Sequence, residues 1–195
     1  MIKKTLLALS LLVSFSTADN IRPLLQFAWE GGGDELVTIQ HDHESDYTIK
    51  AGDGIAFEAG MAIDNPMSNL ELQFLAGYKF DSDSASNGDI TWSMVPLTAL
   101  AMFKVQDWKL GGGVTYHMNP ELDGRFDNDS INYKFDDALG AMVQIQYSPI
   151  DVFSIGLRGT AIQYKLTSDT SQTADGTSIG IVGTFKFGGD RYRYR

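Results

Sequence analysis

Residues 70–80 read Leu70-Glu71-Leu72-Gln73-Phe74-Leu75-Ala76-Gly77-Tyr78-Lys79-Phe80. In an extended chain, Leu70, Leu72, Phe74, Ala76, Tyr78 and Phe80 share one face, and Glu71, Gln73, Leu75, Gly77 and Lys79 share the other. A period of two over eleven residues is the mark of a strand with two unlike faces. The pattern returns at 139–147, where Leu139, Ala141, Val143, Ile145 and Tyr147 oppose Gly140, Met142, Gln144 and Gln146. It returns again near the end, where Ile179, Ile181, Gly183, Phe185 and Phe187 oppose Ser178, Gly180, Val182, Thr184 and Lys186. Similar stretches at about 22–31, 54–63, 90–103, 108–118 and 152–165 bring the number of predicted strands to eight.

The connections alternate in length. Asp64–Asn69, Lys104–Asp107 and Ser148–Asp151 are short, and two of them carry Pro66 or Pro149. Longer polar segments lie at 32–53, 81–89, 119–136 and 167–176. An even number of strands of about ten residues, joined by alternating short turns and long loops, predicts an all-β, eight-stranded antiparallel up-and-down transmembrane barrel. Pro96 falls inside the fourth strand, where it removes a ladder donor, so a bulge is predicted there. Glu35–Gln40 and Tyr47–Lys50 are predicted to extend the first hairpin above the membrane.

A soluble eight-stranded barrel of the lipocalin type would turn the same faces the other way. Two features favour the membrane. Aromatic residues cluster beside the short turns: Phe103 and Trp108, Tyr147 and Phe153, Phe185 and Phe187. That is the distribution of an interfacial girdle. The second face carries Glu58, Glu71, Lys79, Lys109, Arg158 and Lys186 among small and polar residues. Turned toward lipid, each Lys or Arg near the midplane would cost about 2–4 kcal/mol. Turned inward, these charges can pair in a narrow lumen.

Composition narrows the function. The chain has 195 residues, 15 Lys and Arg against 25 Asp and Glu, no Cys and a mean hydropathy of -0.13. Absent cysteine excludes thiol catalysis, disulfide scaffolds and Cys-ligated zinc. The mild hydropathy excludes a bundle of membrane helices, and the acidic balance disfavours nucleic acid as a partner. The 20 glycines exceed the usual ~7% and suit the inner wall of a tight barrel. Lys3 and Lys4 followed by an apolar run at Leu6–Phe15 and by Ser16-Thr17-Ala18 predict a signal peptide over residues 1–18. Cleavage after Ala18 would leave 13 bases, 25 acids and a net charge of -12 on a barrel domain of residues 19–195.

Over residues 22–187 the strand pattern resembles the small eight-stranded outer-membrane proteins: the OmpA transmembrane domain, OmpX and OmpW. The resemblance implies residence in the outer membrane, contact with its lipids and lipopolysaccharide, and insertion by the barrel assembly machinery. Those families end on an aromatic strand, as Phe185-Lys186-Phe187 does, but here a tail, 188–195, follows and finishes Arg191-Tyr192-Arg193-Tyr194-Arg195.

Candidate chemistry centres on the lumen. Glu58 and Arg158 both fall near mid-strand on the inward face, so they are predicted to pair. Lys79, Lys109 and Lys186 are predicted to meet Glu71 and Asp151 nearer the rims. Such a network would block a water path. His41-Asp42-His43-Glu44 gathers two imidazoles and two carboxylates in one loop, a weak candidate for a divalent metal that reads more simply as a solvated loop. His117 points inward near the top of the fifth strand and reads as a hydrogen-bonded lumen residue. No nucleophile, base and orienting acid fall together. The expectation is a non-enzymatic protein without cofactor, structural or surface-interacting, with a plugged lumen. The alternative is a narrow channel or carrier for small solutes, hydrophobic ones included. A secreted binder and a lipid A-modifying enzyme stand behind it.

Overall fold

The structure is a computed structural model and describes residues 20–39, 47–65, 67–85, 88–126 and 129–188. The predicted leader, the histidine loop and most of the tail lie outside the described residues. The strands are β1 (Ile21–Gly31), β2 (Glu35–Ile39), β3 (Tyr47–Lys50), β4 (Gly54–Asp64), β5 (Leu70–Ala85), β6 (Gly88–Val105) and β7 (Trp108–Phe126). They continue as β8 (Asp129–Lys134), β9 (Ala138–Ile150), β10 (Phe153–Ala161), β11 (Gln163–Leu166), β12 (Asp169–Asp175) and β13 (Ser178–Lys186). Eight of them form a closed ring in the order β6-β5-β4-β1-β13-β10-β9-β7, with β6 pairing back onto β7. The ladders are antiparallel throughout. Closure leaves no open sheet edge at the level of the membrane, the condition for spanning lipid with strands.

Alternation of side chains decides the faces. Along β1, Leu25, Phe27 and Trp29 are exposed while Leu24, Gln26, Ala28 and Glu30 are buried. Along β9, Leu139, Val143, Ile145 and Tyr147 point out while Met142, Gln144 and Gln146 are buried. The outward set is a continuous band of large apolar side chains, Trp29 at 66% and Leu139 at 68% exposure among them. Water would penalise every member of such a band. Lipid does not, and the molecule is a transmembrane barrel.

Aromatic pairs mark the band. Trp108 and Tyr147 lie 5.2 Å apart and Phe153 and Phe185 4.9 Å apart beside the short turns, while Phe27 and Phe57 meet at 5.0 Å farther up. Several strands run longer than predicted. β5 and β6 pair as far as Ala85↔Gly88, and β7 continues to Phe126, so the predicted loops 81–89 and 119–136 are largely strand. The predicted strand over 152–165 divides at Ile162 into β10 and β11. The predicted extension of the first hairpin is a hairpin of its own, β2 with β3.

The bulge predicted at Pro96 needs a correction of place. The β5–β6 ladder is interrupted opposite Pro96, between Ala76↔Leu97 and Lys79↔Met94. The inserted residue, however, belongs to β7: the register shifts between Ser93↔Glu121 and Val95↔Met118. Asn119, at φ 49°, sits in that shift just before Pro120. Below it, His117 and Thr115 face inward; above it, Leu122 does. The extra residue therefore exchanges odd for even positions, and keeps Glu121, Asp123 and Arg125 from pointing into the barrel.

Candidate functional site: the lumen network and its apolar cap

At the middle of the lumen stands Arg158 from β10, 3% exposed. Its Nη1 donates to Glu58 Oε2 at 2.8 Å and reaches Glu30 Oε1 at 3.5 Å, its Nε donates to Gln144 Oε1 at 3.0 Å, and its Nη2 donates to Gln26 Oε1. Glu58 also accepts from Thr98 Oγ1 at 3.0 Å. Lys79 Nζ donates to Glu30 Oε2 at 2.5 Å and to the Gly52 carbonyl at 2.8 Å. Residues from β1, β4 and β9 thus converge on one guanidinium from β10, and Lys79 of β5 and Thr98 of β6 join the network through Glu30 and Glu58. The barrel places them there because each is an inward position of its strand.

Glycine makes the room. Glu58 pairs across the β4–β5 ladder with Gly77, and Glu30 pairs across β1–β13 with Gly180. A Cβ added at Gly77 would run into the Phe57 carbonyl oxygen and lie 2.7 Å from Glu58 Cγ, and one at Gly180 would run into the Trp29 carbonyl oxygen and lie 2.8 Å from Glu30 Cγ. Alanine at either site would force the paired strands apart and crowd the stem of the carboxylate.

Nearer the short turns a second cluster surrounds Glu71, whose side chain is fully buried. Lys186 donates to Glu71 Oε2 at 2.7 Å, with Lys104 at 3.0 Å and Lys109 at 3.4 Å from the same oxygen. Gln73 Nε2 donates to Glu71 Oε1 at 2.6 Å. Asp64, bound by Arg22 at 2.5 Å and by Lys104, adds a second carboxylate to the cluster. Gln26 and Gln146 both donate to Thr184 Oγ1 at 2.7 Å, which extends the Arg158 network along the wall toward the short turns.

Of the sequence-predicted residues, the structure brings Arg158 to Glu58, and Lys109 and Lys186 to Glu71. Lys79 goes elsewhere: it lies eight residues above Glu71 on the same strand, roughly 27 Å at strand rise, and meets Glu30 instead. Asp151 is exposed in its turn. Sequence reading missed Glu30, Gln26 and Lys104. The first two were readable from the alternation of Leu25, Phe27 and Trp29 against Gln26, Ala28 and Glu30; Lys104 sits at a strand end, where alternation says least. His41, His43 and Ala18 lie outside the described residues. Among the described residues no group of three or more His, Asp or Glu converges as a metal would require.

Above the ion pairs the interior changes character. Ile90, Trp92 and Met94 of β6, Leu122 of β7, Ile162, Tyr164 of β11, and Ile49 and Ala51 from β3 and the turn after it form one buried apolar cluster. Trp92 packs edge-on to Tyr164 at 5.4 Å and to Phe135 at 5.3 Å, and its Nε1 donates to the Ala51 carbonyl at 3.1 Å. His117 lies at the boundary, its Nδ1 hydrogen-bonded to the Tyr164 hydroxyl at 2.7 Å. Hairpin β2–β3 contributes Ile49 to this cluster, with Leu36 and Val37 packed against it. Ion pairs thus occupy the lower interior and hydrocarbon the upper.

Against solved structures, the chain superposes on the crystal structure of Ail, the attachment invasion locus protein of Yersinia pestis, in complex with the heparin analogue sucrose octasulfate. The TM-score is 0.52 at 11% identity, over 86% of this chain and 98% of that one. The fold is that of the small outer-membrane barrels. Neisserial surface protein A aligns over 86% of this chain and 97% of its own, at 10% identity and a TM-score of 0.49. Neither a protein-family model nor a curated protein matches the sequence.

Proposed function

We propose that this chain works in the outer membrane as a non-enzymatic barrel with a closed lumen, whose working surface is its acidic outer end. One observation carries the reading: the lumen is filled by the Arg158–Glu58–Glu30–Lys79 network and, above it, by the Trp92 cluster. A solute would have to break buried ion pairs and displace packed hydrocarbon in turn, and both are costly. The outer segments 32–53, 81–89, 119–137 and 163–177 carry 17 Asp and Glu against Lys50, Arg125, Lys134 and Lys165. A polyanion such as the heparin analogue bound to Ail would be repelled by that end; a cationic partner would be drawn to it. Export through the leader ending at Ala18, insertion by the barrel assembly machinery, and an annulus of outer-membrane lipid and lipopolysaccharide complete the proposal.

Recording purified protein in planar bilayers tests it. The closed lumen gives no stable conductance, whereas large steady openings would establish a channel. Gel migration with and without boiling, on outer-membrane fractions, checks location and barrel together. A soluble periplasmic protein without a heat shift would overturn the reading.

A further inference from the structure

At the outer end the wall of the barrel is incompletely zipped. The β1–β13 ladder runs as far as Gly31↔Ile179 and is followed by one more exchange, Asp34 N to Asp175 O at 2.7 Å and Asp175 N to Asp34 Oδ2 at 2.8 Å. Beyond it the two strands part. Among the described residues β2 pairs only with β3, and β12 only with β11, so each offers an unpaired edge to the gap. Between these edges lies an open cleft of about 560 Å³. Leu36, Leu122, Phe135 and Leu166 supply its apolar lining, continuous with the buried cap, and Tyr133 stands half-exposed at its mouth. Asp34 and Glu35 are the charged residues that line it; no Lys or Arg does. Lys50, across the ladder from Glu35, is not part of the lining.

We infer that this seam is a binding site for an extended peptide bearing Lys or Arg, which adds as a strand along the open edge and sets an apolar side chain into the cleft. Three features specify that occupant. An unpaired strand edge recognises main chain in extended form. A cleft of this volume with apolar walls takes hydrophobic side chains that alternate along such a strand. The acidic lining, within an outer surface of strong negative charge, selects cationic residues at the intervening positions and speeds their encounter. The inference deepens the surface-interaction reading and rests on it for the outward placing of this end.

The test uses the full barrel in nanodiscs of zwitterionic phosphatidylcholine, with empty discs as the blank. The probe is a fluorescent, end-blocked heptapeptide alternating Leu and Lys. Its counterparts alternate Leu and Glu, or carry N-methyl groups on alternate Leu-Lys backbone amides. The expected result is saturable binding of the Leu-Lys peptide, at least about tenfold weaker binding of the Glu peptide as rim charges change sign, and loss of binding on N-methylation. Glu35→Lys and Tyr133→Ser, each checked for an intact barrel by heat-modified migration, should each weaken binding by about threefold to tenfold. Equal binding of both peptides, indifference to N-methylation, or insensitivity to both variants would overturn the proposal. So would dimers in unliganded discs whose seam the peptide cannot enter, since a second copy would then be the occupant. A conducting barrel that still bound the peptide would defeat the closed-lumen reading and leave this one standing.

Discussion

The inside of the barrel within the membrane and the inside of the barrel above it are built on opposite rules. In the membrane the outward face is Leu25, Phe27, Trp29, Val143 and Ile145, and the inward face holds Arg158, Glu58, Glu30 and Lys79. Above it, Asp89, Glu121, Asp123 and Arg125 turn outward, and Ile90, Trp92, Leu122 and Tyr164 turn inward. The same strands, β6 and β7, run through both zones. The difference is the solvent outside the wall. Lipid rewards apolar residues on the exterior, so the lumen is left for the polar groups, which must then satisfy one another. Water rewards the reverse arrangement, and the chain returns to an ordinary hydrophobic core. The β7 bulge at Asn119–Pro120 marks the exchange.

If the lower zone is held by mutual satisfaction of charge, removing its hub is the most damaging single change. Arg158→Ala leaves Glu58 and Glu30 facing each other, both buried, and should cost about 3–5 kcal/mol. Urea unfolding in lipid vesicles measures it. A double variant, Arg158→Met with Glu58→Leu, should recover much of the loss, because it removes both members of the pair. An Arg158→Ala barrel as stable as the wild type would mean that water enters the lumen and screens the carboxylates, and the contrast between the zones would fail.

The upper zone should answer to volume rather than charge. Ile49→Ala removes fully buried methyl groups from the cap, worth roughly 2–5 kcal/mol by the precedent of core truncations. Because β2–β3 is joined to the ring by few ladder bonds, the loss should appear as local opening. Proteolysis and amide exchange should quicken in 35–50 while the heat-shifted band stays unchanged. Equal loosening of β9 and β10 would show that cap and ring unfold as one unit.

Much of this was legible in the sequence, and the reasons track the same division. Where one face meets lipid, alternation is strict, as at 70–80 and 139–147, and the strands and their inward residues can be read directly. Above the membrane both faces soften. Thr91 and Ser93 alternate with Ile90 and Trp92, yet aspartates and glycines at 81–89 and 119–136 carry the signature of loops, which hid the length of β5, β6 and β7. Pairing across the lumen was harder still. Arg158 and Glu58 are 100 residues apart, and their partnership depends on both lying near mid-strand. The choice of Glu30 by Lys79 depends on strand stagger, which periodicity does not encode.

The bulge itself can be tested more gently. Asn119 holds φ at 49°, a region that Asn tolerates and a β-branched residue does not. Asn119→Val should therefore cost about 1–2 kcal/mol, and Asn119→Gly should be close to neutral. Equilibrium unfolding of the two variants side by side gives the difference. If valine is harmless, β7 can shed the extra residue without turning Glu121 inward, and the bulge is not what separates the zones.

The smallest effect lies where the cap meets water. Asp175 accepts from the Thr177 hydroxyl at 2.6 Å and from the Thr177 amide at 2.8 Å, and these donors hold its carboxyl below the ordinary aspartate range. A depressed folded value means that the contribution to stability is fully present above the unfolded pKa and fades as pH falls through the folded one. In an NMR titration Asp175 should keep its charge to lower pH than an aspartate in an unfolded peptide. Thr177→Val deletes the hydroxyl donor and should move the Asp175 midpoint up toward the usual value, while leaving the Arg158 network untouched. Asp175 closes the last rung of the wall with Asp34 through its backbone N–H and carbonyl, not its carboxyl, so its protonation should loosen the Asp175–Thr177 turn before anything deeper responds. A titration in which the β11–β12 hairpin and the lumen change together would show that the acidic rim and the buried ion pairs are coupled, and that the two zones are less independent than their chemistry suggests.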